Sequence, residues 1–171
     1  MSNFVLHNRG LDDSHNADID LIAIRNKYTF EEVGGKKADP DQRLFNHFNS
    51  DKHVGLLVEV KSGRFDSIKL GNVDRLRYGV QRFGFFSQSK TEKIVEKLRT
   101  SQTAEGDFHQ VGKVLVTDSA TIENGYVCLE LTHVEKFIES HLRKYARDKY
   151  GARHLFPSTI IQYLAWKNRG N

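Results

Sequence analysis

Residues 56–63 read LLVEVKSG. Leu56, Leu57, Val58 and Val60 suit a sheet interior, and HVGLLVEVKS (53–62) is the strongest strand signal in the chain. Glu59 and Lys61 interrupt it two positions apart. The two-residue period of a strand puts both on one face. Charges in a central strand are costly unless they are paired or hold a metal ion. A strand that accepts this cost is the natural place to look for chemistry.

The chain on either side gives that strand its setting. FVLHNRG (4–10) reads as a short strand, and LDDSHNA (11–17) as a polar turn. DIDLIAIRNKYTF (18–30) alternates for part of its length, with Asp20, Ile22 and Ile24 on one side. Residues 31–52 carry Gly34–Gly35 and Asp39–Pro40 and read as an insertion, with one or two helical turns in DQRLFNHF. Beyond the central strand, GNVDRLRYGVQRFGFF (71–86) has helical spacing at Val73, Leu76, Val80 and Phe83, capped by Asn72. A second helix is predicted at 87–100, with Ser89 and Glu92 at capping-box spacing. Strands follow at 107–119 and 126–132, separated by an Asn124–Gly125 turn signal. Thr132 and Glu135 then open a helix over 134–150, and STIIQYLAWKNR can form the last.

The predicted order is β-β-insert-β-α-α-β-β-α-α. The early strands can form a meander, and the two helices can return the chain parallel to the third strand. This is an α/β chain of 171 residues, expected to be a single domain spanning 1–171 with a mixed sheet flanked by helices.

Composition sets outer limits. Hydrophobic content is 38% and charged content 28%, as in globular proteins generally. No apolar run approaches a membrane span, and MSNFVLHNRG lacks the pattern of a signal peptide. A cytoplasmic location without membrane contact is the expectation. The single Cys128 excludes an internal disulfide framework and a cysteine-based zinc cluster. Residues 134–171 hold 8 Lys/Arg against 3 Asp/Glu, whereas 1–133 hold 18 against 19. The positive charge is thus concentrated in a basic helical C-terminal region, which suits either a phosphate backbone or a solvated helix face.

Antiparallel pairing of the strands at 18–30 and 53–62 brings the start of one to the end of the other, making neighbours of Asp20 and Glu59. Two close carboxylates repel unless a proton or a cation lies between them. Mg²⁺ is the natural bridge, with Asp20, Glu59 and the Val60 carbonyl as oxygen ligands and Mn²⁺ as its substitute. Such an ion polarises a phosphate and acidifies bound water. Lys61 would orient or deprotonate the attacking water, or stabilise transition-state charge. The alternative is a salt bridge at the rim of a sheet.

Two stretches, ADIDLIAIR (17–25) and LLVEVKSG (56–63), resemble the restriction-endonuclease-like, or PD-(D/E)xK, nuclease superfamily. The resemblance covers residues 4–132. It implies a restriction-endonuclease-like sheet, DNA as substrate, and products with a 5′-phosphate and a 3′-hydroxyl. Asp20 then resembles the metal-binding aspartate, Glu59 the second ligand and Lys61 the catalytic lysine. Gln81 corresponds to a supporting glutamine in the following helix, though a helix-surface glutamine is the plainer reading. The sequence departs from the family in three places. The family's initial helix has no counterpart in the three residues before Phe4, so the expectation is that it is absent, replaced by the C-terminal helices, or supplied by a longer chain or a partner; Asp20 and Glu59 lie 39 positions apart; and Ile19 stands where a proline is usual.

The expected function is metal-dependent hydrolysis of DNA phosphodiesters, by endonuclease or exonuclease action, with a homodimer or a larger DNA-processing complex as the setting. The alternative is a non-catalytic nuclease-like module that binds nucleic acid or serves as a subunit of such a complex. Arg64, Lys69, Arg75, Arg77 and Arg82 are further candidates for phosphate contacts.

Overall fold

The computed structural model describes residues 19–33, 36–66 and 70–144. The strand expected at 4–10, Lys69 and the final helix lie outside the described residues. The elements are β1 (Leu21–Arg25), β2 (Glu31–Val33), β3 (Lys36–Ala38), α1 (Gln42–Phe45) and β4 (His53–Lys61), followed by α2 (Val73–Phe83) and α3 (Gln88–Thr100). Then come β5 (Thr103–Glu105), β6 (His109–Thr117), β7 (Val127–Glu130) and α4 (Leu131–Lys144).

Five strands form one mixed sheet in the order β1-β4-β6-β5, with β7 also paired to β6. Strand β1 runs antiparallel to β4, from Leu21↔Val58 to Arg25↔Val54. Strand β4 runs parallel to β6 over its whole length, from His53↔His109 to Lys61↔Thr117. The expected crossover is therefore present: α2 and α3 carry the chain back to lie parallel to the strand it left. Along β6, β5 pairs antiparallel with residues 110–112 and β7 parallel with 114–117. The Asn124–Gly125 turn thus closes no hairpin. It lies within the link between two parallel strands, where Gly125 has φ +78°.

Burial explains why these segments form these elements. Leu76, Val80 and Phe83 of α2 and Ile94, Val95 and Leu98 of α3 are all buried. They share a core cluster with Ile19, Ile22, Leu57, Ala104 and Val111. Asn72 caps α2 as expected, its Oδ1 accepting from the N–H groups of Asp74 (2.9 Å) and Arg75 (3.1 Å). Gly84 ends α2 at φ +66°, the left-handed cap that glycine adopts without strain. Phe85 and Phe86, partly buried, pack against this core.

The two expected capping boxes do not set their helix starts. Helix α3 begins at Gln88 behind Ser87, and the Glu92 carboxylate accepts from Arg77 Nε across the two helices at 2.8 Å. Helix α4 begins at Leu131, so Thr132 falls inside its first turn. Strand β5 has no counterpart in the sequence pattern, because three residues show no periodicity of their own and the strand is held by its pairing to β6.

Contacts divide the described residues into two compact units. The larger holds residues 19–29 and 42–131, and so contains the five-stranded sheet with α1, α2 and α3. The smaller holds 30–41 and 132–144. In it, β2 and β3 form an antiparallel pair, and Asp41 meets His133 at 2.9 Å. His141 Nε2 lies 2.9 Å from the Asp39 carbonyl oxygen, and Lys144 Nζ is 2.6 Å from Asp39 Oδ2. The expected insertion at 31–52 is thus split: its first part is a hairpin, and its second supplies α1 to the sheet unit.

Candidate active site

Strand pairing alone assembles the site. In the β1–β4 register each pair of residue numbers steps in opposite directions, so one step beyond Leu21↔Val58 puts Asp20 opposite Glu59. Asp20 lies just outside β1, where the ladder has ended. Its carboxylate continues the pairing in place of the backbone: Oδ2 accepts from the Val60 N–H at 2.7 Å. The same oxygen accepts from Lys61 Nζ at 3.0 Å. A strand residue's N–H and C=O face the same side of the chain, so the Val60 carbonyl faces this edge too.

Lys61 Nζ also lies 2.8 Å from Glu59 Oε2. One ammonium therefore stands between the two carboxylates. The other oxygen, Glu59 Oε1, accepts from Arg75 in the first turn of α2 at 2.5 Å. Glu59 is 4% exposed, and its Oε2 is buried with no hydrogen bond of proper direction; the Lys61 contact is an ion pair only. A buried carboxylate oxygen in that state retains a lone pair for another partner.

The electrostatics follow from the packing. Burial pushes the Glu59 carboxyl above its ordinary value, against the pull of Lys61 and Arg75. Burial acts on Asp20 in the same direction, but the Val60 N–H and Lys61 outweigh it and hold Asp20 below its ordinary value. For Lys61, burial alone would lower the pKa, yet its close contacts with the negative charges of Glu59 and Asp20 raise it. Lys61 is accordingly an ammonium in this arrangement, suited to stabilising negative charge rather than to removing a proton.

The structure thus brings together Asp20, Glu59, Val60 and Lys61. It does not bring Gln81 to them: Gln81 is exposed on α2, six residues beyond Arg75. Six residues of helix are about 9 Å of rise and more than one and a half turns. The helix contributes Arg75 instead, which the sequence suggests only as a phosphate contact. A signal for it exists. Arg75 is a cation in a helix's first turn, where the dipole disfavours it, so a nearby anion has to hold it there.

The donor set fits a small divalent cation. Mg²⁺ needs only one or two carboxylates and keeps several waters. Two carboxylates and a carbonyl on one edge meet that need, although no cluster of three or more His, Cys, Asp or Glu side chains occurs among the described residues. No family model, curated protein or solved structure matches this chain.

Proposed function

We propose that the protein is a metal-dependent deoxyribonuclease of the restriction-endonuclease-like kind, hydrolysing DNA phosphodiesters at the edge formed by Asp20, Glu59 and Lys61. One observation carries the reading. At the end of a central strand, a buried Glu59 oxygen without a directed hydrogen bond faces a lysine shared with a second carboxylate. Asp20, Glu59 Oε2 and the Val60 carbonyl would hold Mg²⁺ or Mn²⁺. When bound, the ion would supply a Lewis acid for the phosphate and a water of lowered pKa. Lys61, kept as an ammonium, would meet the negative charge that develops on the phosphoryl oxygens. The antiparallel β1–β4 pair and the parallel return of the chain to β6 support that reading.

A second reading has an observation of its own. Two carboxylates, Lys61 and Arg75 already balance in charge, which suits a structural ion-pair network in a nucleic-acid-binding module or a subunit of a DNA-processing complex. Cleavage separates the two. Linear, nicked, branched and single-stranded DNA are incubated with Mg²⁺, Mn²⁺ or EDTA, using wild type and folded E59A and K61A proteins. Metal-dependent cutting that falls at least a hundredfold in both variants is the expected result. DNA binding that is indifferent to metal, with no cutting of any substrate, selects the second reading.

A further inference from the structure

We propose that Arg75 is a positioning residue that makes Glu59 a one-oxygen ligand, and so tunes the site to a small octahedral cation over a large one. This rests on the metal reading above but concerns a residue that reading does not use.

A carboxylate can turn about its last side-chain torsion with little preference. Free to turn, Glu59 could present one oxygen or both. The guanidinium of Arg75 removes that freedom by taking Oε1 at 2.5 Å, leaving Oε2 toward Lys61 and Asp20. The restraint is firm at both ends. Glu59 is on β4 where it pairs with Leu115 of β6, and its side chain is 6% exposed. Arg75 is in the first turn of a helix whose N-cap accepts from the Arg75 N–H, and its side chain is 12% exposed. Neither can swing into solvent without leaving the other charge buried.

Ligand count distinguishes the two cations. Mg²⁺ demands near-ideal octahedral geometry at short range, which single oxygens satisfy, whereas Ca²⁺ accepts more oxygens and takes carboxylates with both. A glutamate whose second oxygen is already engaged disfavours the larger ion. Without Arg75 that oxygen is released.

The test measures metal binding and needs no catalysis. Mn²⁺ uptake by wild type, R75M and R75K is followed by electron paramagnetic resonance, with Ca²⁺ as competitor and thermal unfolding as the check on folding. Wild type is expected to bind Mn²⁺ and to resist Ca²⁺. R75M should bind Mn²⁺ about 10–100-fold more weakly, the usual effect of removing a group that orients a ligand. Its ratio of Ca²⁺ to Mn²⁺ affinity should rise at least tenfold. R75K, keeping a donor and a charge, should fall between and provides the comparison if R75M does not fold. A merely structural arginine would lower the melting temperature and leave the ratio alone. An unchanged ratio in a folded variant overturns the proposal while Mn²⁺ binding by wild type keeps the metal reading. Absence of Mn²⁺ binding by wild type overturns both.

Discussion

Lys113 illustrates at the scale of one residue how much a buried charge costs. It lies on β6 and is 1% exposed. Its ammonium is 4.5 Å from the centre of the Tyr126 ring, and the Glu123 charge gives weak support. Burial lowers its pKa from 10.5 to about 8. The unfolded chain holds this proton up to about pH 10.5 and the folded chain releases it near pH 8. Between those values the unfolded state binds more protons, so the Lys113 contribution to stability rises with pH and levels off above 10.5. The full span is at most about 3–4 kcal/mol, from about 1.4 kcal/mol per pKa unit. Substitution by methionine also forfeits the cation–π attraction to Tyr126, which offsets about 0.5–2 kcal/mol. K113M is therefore expected to be more stable than wild type at pH 7 by roughly 1–3 kcal/mol. Urea unfolding at pH 7, 9 and 10.5 should show that advantage shrinking to nothing or reversing. A constant difference across the range would show that Lys113 does not titrate there.

Glu59 is the opposite case, a buried charge with two partners. Removing one partner of a buried pair typically costs about 3–5 kcal/mol, because the charges left behind are uncompensated. E59A takes the Glu59 carboxylate from Arg75 and leaves Lys61 with Asp20 alone, and should destabilise the fold by that order. The isosteric E59Q keeps an acceptor for Arg75 and should lose less, about 1–2 kcal/mol. E59Q is thus the better test of metal binding, and equal losses in the two variants by chemical denaturation would show that the charge itself contributes little.

Among the elements, α2 links fold and site most directly. Gly79 faces the sheet where a Cβ would stand 2.4 Å from Ile19 Cδ1 and 2.7 Å from Leu57 Cδ2. G79A gains about 1 kcal/mol of helix propensity and incurs overpacking of about 1–3 kcal/mol. The second effect wins, and a net loss is expected in denaturant titration. Because Ile19 adjoins Asp20, and α2 also carries Arg75, the same variant should weaken Mn²⁺ binding. A stable G79A protein with unaltered metal affinity would show that the helix can shift without moving the site. Helix α2 is legible in the sequence because its apolar spacing and Asn72 cap agree. The capping boxes mislead because Ser89, Glu92 and Thr132 match a local pattern, whereas tertiary pairs and an abrupt strand-to-helix step fix the actual starts. Gln81 misleads similarly: its place comes from a family position, and only helix geometry shows that it is Arg75's neighbour in sequence rather than in space.

For the molecule as a whole, the sheet is readable wherever a strand is buried on both faces. LLVEV and the β6 run are largely apolar, so their existence and their parallel pairing follow from composition and a crossover. The pairing of Asp20 with Glu59 follows from antiparallel direction alone. The split of residues 31–52 into a hairpin and α1 does not, because it depends on contacts remote in sequence. The same architecture forecasts an uneven map of stability. Strands β4 and β6 are paired on both sides, so their central amides should exchange with solvent only through global opening, and those of the three-residue β5 faster. The Val60 amide is the telling exception. Strand β1 begins only at Leu21, opposite Val58, so beyond that pair the Val60 N–H is held by the Asp20 carboxylate. D20A should therefore raise hydrogen exchange at Val60 by at least tenfold, while amides 54–58 keep their protection. Nuclear magnetic resonance of the exchanging amides resolves this residue by residue. Loss of protection along all of β4 would mean that Asp20 supports the sheet. Loss at Val60 alone would mean that the carboxylate holds only the edge on which the site is built, and that the fold can tolerate whatever displaces it.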